Sequence, residues 1–166
     1  MIFLAVLSLF IFSVLFFFNG ERDYKKDLTI TRTGSYIEGL RIVNKRNGID
    51  SWIITAGRAD FTKDETTARM DSVTVDIIKE KVTVNADNGV YNMNTRDLSL
   101  MDNIKIWIKD SVISTERLSW NPTAKILTSD NKILMEGKKF KIEGKGLTAT
   151  EGQKVKLMKD VKAIFF

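Results

Sequence analysis

Four aspartates, Asp71, Asp102, Asp130 and Asp160, recur about 30 residues apart, and they are the first place to look for chemistry in this chain. Paired carboxylates can share a proton and act as acid and base, and clustered ones can hold calcium. Composition closes most other routes. The 166 residues include neither cysteine nor histidine, which removes thiolate and imidazole zinc ligands, Cys/His nucleophile pairs and the Ser-His-Asp triad together. No Asp-x-Asp-x-Asp-Gly calcium loop occurs.

Each aspartate instead sits in a short polar interruption of an alternating apolar run: Asp71-Ser72-Val73, Asp102-Asn103-Ile104, Asp130-Asn131-Lys132-Ile133 and Asp160-Val161. Such interruptions mark a bulge or bend, where a strand passes from one sheet to another. In a stacked β-array these carboxylates would lie about 5 or 10 Å apart on the outside of the bend. The reading is structural. No catalytic residue, metal or cofactor is assigned, and an enzyme is the least supported class because no acid/base set converges.

The aromatics offer a second candidate chemistry, a stacking platform built from Trp52, Phe61, Tyr91, Trp107 and Trp120. Phe61, Tyr91 and Trp120, however, occupy one slot of a repeated cadence. An alternating strand ends in a small residue and an aromatic, and a polar turn follows. The copies run from Trp52 to Phe61, Val82 to Tyr91 and Val112 to Trp120. One slot filled three times is what a core ladder looks like. The net charge of +5 is spread over 26 basic and 21 acidic residues with no arginine stripe, so nucleic acid is not assigned as a partner. Scattered basic faces still suit an anionic lipid or membrane surface.

These residues require strands to hold them. Alternation is clearest in Val73-Thr74-Val75-Asp76-Ile77, Ile104-Lys105-Ile106-Trp107-Ile108 and Val155-Lys156-Leu157, with one face buried and one wet. Turn signals follow each aromatic, at Thr62 to Thr66, Asn92 to Arg96, Asn121-Pro122-Thr123 and, in a weaker fourth copy, Thr150 to Gln153. They fall again between copies, at Lys79-Glu80-Lys81, Lys109-Asp110-Ser111 and Glu136 to Lys139. The spacing predicts hairpins with strands of about 8 to 10 residues. Gly34 to Ile42 reads as a further strand, and Asn47-Gly48 as a tight hairpin turn. The predicted fold is all-β, an open, twisted antiparallel jelly roll of repeated hairpins, spanning residues 34–166 after a linker at 20–33. A repeated unit of this kind cannot bury its apolar face alone, so function belongs to a long surface.

Residues 1–19 read differently. Met1 to Phe18 carries no charge, and its length as a helix, roughly 27 Å, nearly matches a bilayer core. Its apolar residues favour insertion by roughly 4 to 8 kcal/mol. A basic start and a small-x-small cleavage site are missing, so a retained single transmembrane helix is expected rather than a cleaved signal peptide. The basic residues Arg22, Lys25 and Lys26 follow the run and none precedes it, so the positive-inside rule alone does not argue for export.

Taken in order, the anchor, Asn47-Gly48, Trp52-x3-Ala56-x2-Ala59-x-Phe61, Ala86-x2-Gly89-x-Tyr91 and Leu98-x-Leu100-x-Asp102-Asn103-Ile104 resemble the LptC family over nearly the whole chain. The family's basic residues before the anchor have no counterpart here. The resemblance implies a single-pass inner-membrane protein whose periplasmic jelly roll opens into an apolar groove. That groove would accept lipid A acyl chains of lipopolysaccharide from an ABC transporter of the LptB/LptF/LptG type. It would then pass them to a periplasmic bridge protein of the LptA type. Groove candidates, chosen as inward positions of the alternating strands, are Trp52, Ile54, Phe61, Val73, Val75, Val84, Tyr91, Leu100, Ile104, Ile106 and Trp120. Val155, Leu157, Val161, Ala163 and Phe165 are candidates for an edge strand that pairs with the bridge. The competing reading is a membrane-tethered structural β-solenoid that scaffolds the envelope and carries no lipid.

Overall fold

The computed structural model describes residues 36–78, 81–150 and 156–166. The expected anchor at 1–19, the linker at 20–33 and Val155 lie outside the described residues. Among those described, no helix is long and apolar enough to cross a membrane.

Alternation and turns build nine strands: β1 (Tyr36–Arg46), β2 (Ile49–Phe61), β3 (Thr67–Ile77), β4 (Val82–Asn92), β5 (Leu98–Ile108), β6 (Ser111–Asn121), β7 (Ile126–Gly137), β8 (Phe140–Thr150) and β9 (Lys156–Phe165). They form one antiparallel sheet in simple sequential order, so each strand pairs only with its chain neighbours. The strands run 10 to 13 residues, longer than the spacing predicts. The polar interruptions lie within strands rather than between them, and backbone pairing resumes on both sides.

The turns follow from their residues. Asn47 and Gly48 both take positive φ, 53° and 78°, as a two-residue hairpin turn requires. Asn92 Oδ1 accepts hydrogen bonds from the backbone of Asn94 and Thr95, each at 2.9 Å. Asn121 Oδ1 likewise accepts from Ala124 at 2.7 Å. These two asparagines hold the same place in successive hairpins, just after the aromatic. Asp64 closes the turn between β2 and β3 by accepting from the hydroxyls of Thr62 at 2.6 Å and Thr66 at 3.0 Å. Those bonds hold its carboxyl below the usual range.

One row of irregular residues crosses the whole sheet and creases it. Ser72, Asp102, Asn103 and Asp160 have positive φ, and so do Gly39 and Gly146. Pairing skips or shifts beside Asp87, Glu116 and Asp130. The sheet therefore folds into two arms without breaking into two sheets. Across the crease, Asn88 Nδ2 donates to Asp102 Oδ2 at 2.9 Å and Asn103 Nδ2 donates to Asp87 Oδ2 at 2.6 Å. Side-chain amides and carboxylates thus bond where the ladder between β4 and β5 is interrupted.

At the N-terminal end the arms close on small residues. Ala59 and Ala68 are fully buried, and Met70 and Val73 nearly so. A Cβ placed on Gly89 would lie 3.1 Å from Val73 and 3.2 Å from both Leu100 and Met70. Gly89→Val is therefore expected to overpack this end and lower stability by about 1–3 kcal/mol, read as a fall in the urea midpoint at unchanged slope. Met70 and Leu100 are the ladder partners of Gly89 and Val73 lies beyond the crease, so an unchanged midpoint would show that these three side chains can make room.

Candidate functional site: an apolar groove between the arms

Beyond the closed end the arms diverge. One wall comes from the segments of β3 to β8 on one side of the crease, with Val75, Val84, Ile106, Ile113 and Met135 among its side chains. The other comes from β5 to β9 on the opposite side, with Leu100, Leu118, Trp120, Leu127 and Leu157. Together they bound a groove that is open to solvent. Aliphatic and aromatic side chains line nearly all of it, and Thr115 is the polar exception. The pleat explains the purity. In β5 and β6 alternate residues face inward on both sides of the crease, and apart from Thr115 that inward set is apolar.

Charge is kept outside. Lys132 Nζ lies 3.4 Å from Glu143, and Lys141 Nζ lies 3.6 Å from Glu143 and 3.5 Å from Glu136. The hydrogen bond and charge of Lys132, with Lys141 beside it, hold the Glu143 carboxyl below its usual range. At the start of β1, Arg58 stacks over Tyr36 at 4.0 Å and bonds both carboxylate oxygens of Asp60 at 3.2 Å. The hydrogen bond to Asp60 raises the Arg58 pKa. Asp71, Asp102, Asp130 and Asp160 belong to the crease, and the described residues contain no group of three that could hold a metal.

The residues singled out from sequence divide between two environments. Val75, Val84, Leu100, Ile106 and Trp120 line the open groove. Trp52, Ile54, Val73, Tyr91 and Ile104 are buried in the apolar cluster without reaching it, and Phe61 packs against that cluster half-buried. Trp107 points outward and is 47% exposed. Ile113, Leu118, Ile133, Met135 and Ile142 line the groove as well. The sequence reading did not select them, although their alternation carries the same signal.

Among the edge candidates, Leu157 turns inward to the groove, whereas Val161, Ala163 and Phe165 are exposed on β9. Among the described residues, β9 is the last strand of the sheet and pairs on one side only, with β8.

The fold has a counterpart among solved structures. It is similar to LptH from Pseudomonas aeruginosa, described as the LptA-homologous periplasmic component of the lipopolysaccharide transport device. The match has a TM-score of 0.51 and 10% identity, and covers 69% of this chain and 94% of that one. Identity this low speaks to the fold alone. Comparison with curated protein sequences gives no match. The family model described as lipopolysaccharide-assembly, LptC-related, matches residues 5–165. With nearly the whole chain matched by that model, the protein belongs to the LptC-related lipopolysaccharide-assembly family.

Proposed function

We propose that the groove carries the acyl chains of lipopolysaccharide, received from an inner-membrane ABC transporter and passed to a periplasmic bridge protein, with the protein held at the inner membrane by its N-terminal segment. The observation that carries this reading is an open, apolar groove between two arms that come together at the other end of the sheet, where Val73 reaches Gly89 across the crease. An acyl chain leaving water gains about 0.8 kcal/mol per shielded CH₂, so passive shelter is enough for the groove's part. Direction comes from the transporter, and no bond is made or broken here. The exposed edge of β9 offers the bridge a strand to pair with.

The test is photo-crosslinking in cells. A photoreactive side chain at Ile106, inside the groove, is expected to give lipopolysaccharide adducts. The same group at Lys105 or Thr83, on the outer face, is expected to give none. Adducts at neither site in folded protein would replace the conduit with the tethered scaffold. Equal adducts at all sites would mean surface association without a groove.

A further inference from the structure

In an otherwise apolar lining, Thr115 is out of character. It is 5% exposed, as is Ser129 of the neighbouring strand β7. Their hydroxyl oxygens are 3.2 Å apart. The pair stands where the ladder between β6 and β7 lapses, after Ser114↔Leu134 and before Ser119↔Thr128, at the crease that forms the groove floor. β6 lies three strand spacings from β3 and three from β9, which places the pair roughly 14 Å from either end of the groove.

The backbone N–H of Asn131 donates to Ser129 Oγ at 3.3 Å. Ser129 Oγ keeps a second lone pair, so either hydroxyl can donate to the other, and in both arrangements one O–H proton of the pair is left over. Where Ser129 donates, the spare proton is that of Thr115, whose side chain lines the groove. A hydroxyl donor facing a purely apolar channel is disfavoured unless the occupant supplies an acceptor. Valine would fill the same β-branched shape in a strand without that penalty.

We propose that the Thr115–Ser129 pair is a recognition point inside the groove, donating a hydrogen bond to an oxygen carried on an acyl chain: an ester or amide carbonyl, or a chain hydroxyl. This rests on the reading of the groove as an acyl-chain site, and adds that the chains are held in register rather than sliding freely. An all-hydrocarbon wall holds a chain equally well at any position. One buried donor makes a single position preferred.

The test uses the full chain with a photoreactive group at Ile113, which shares the wall with Thr115. The protein is placed in vesicles of dialkyl-ether phosphatidylglycerol. These contain a trace of radiolabelled dimyristoyl phosphatidylglycerol or of its radiolabelled dialkyl counterpart, which lacks the chain carbonyls. The ester lipid is expected to give about three- to tenfold more adduct, the range of one neutral hydrogen bond. Thr115→Val should bring the ratio to about one, and Thr115→Ser should keep it. A ratio of one in the unaltered protein overturns the proposal by itself, whether or not Thr115→Val folds. So does a Thr115→Val protein that keeps the preference, or one that weakens both lipids equally, since that is what a purely structural pair would do. If neither lipid is captured and lipopolysaccharide gives no adduct at Ile106 in cells, the groove reading falls and takes this proposal with it. Capture of lipopolysaccharide with a ratio of one separates the two failures.

Discussion

Ile106→Asp is expected to cut lipopolysaccharide capture and export at least tenfold while leaving the protein folded. Ile106 pairs with Val84 and Ile113 across its neighbouring strands and faces the open part of the groove, where it is only half-buried. Asp is short, so its carboxylate cannot reach water past the walls as a longer side chain can. It stays ionised beside the groove and keeps water there, or it must be neutralised when a chain enters. Either course costs the occupant more than the roughly 1.4 kcal/mol that corresponds to tenfold. Because the empty site already borders solvent, the apo protein loses less, and a melting shift of a few degrees is expected. Adducts at a second groove position such as Leu118, compared between Ile106→Asp and the outer-face variant Lys105→Asp, supply the readout. Normal export by a folded Ile106→Asp protein would show that cargo does not pass through the groove.

The second large effect concerns β9. The N–H of Phe166 donates to the Lys139 carbonyl at 3.1 Å. Alternation of an antiparallel ladder then turns the N–H groups of Ile164 and Lys162 toward β8, and those of Ala163 and Phe165, opposite Ile142 and Phe140, toward the open edge. Proline removes a donor, and on an edge strand it is tolerated where that donor faces outward. Ala163→Pro with Phe165→Pro is therefore expected to preserve the sheet and reduce bridge-protein pairing at least tenfold, measured by crosslinking from Val161. Ile164→Pro removes an inward donor and should loosen β9 itself. If the outward prolines leave pairing intact, the bridge is bound elsewhere.

Much of this fold is legible in the residues. Period-two alternation, the Asn-Gly turn at 47–48 and the recurrent asparagine after Tyr91 and Trp120 are local signals, settled by sterics and hydrogen bonds within a few residues. The crease is legible where it uses short polar residues, at Ser72, Asp102 and Asn103, and Asp160. It is hidden where Gly39 and Gly146 make it, and at Glu116, which looks like any other solvent-facing residue. Pairing continues through these positions, so one creased sheet formed where sequence suggested strands changing sheets.

The groove is only half legible, for a physical reason. Ile54 and Ile106 show the same pattern to their chain neighbours, yet one is sealed and the other borders open space. What separates them is the bulk on the facing arm. Ala59, Ala68 and Gly89 let the arms meet, while Leu98, Leu118, Trp120 and Leu127 hold them apart. That contrast is written in the sequence, but its meaning depends on knowing which side chains face each other across the crease.

The sequential strand order also makes the groove a modular length. Since each strand pairs only with its chain neighbours, removing or adding one hairpin alters no distant pairing. Two strands contribute roughly 10 Å along the groove. On the proposed reading, hairpin number acts as a ruler for how much hydrocarbon the groove could shelter, and a change of cargo length could be met by duplication or deletion without redesigning the walls.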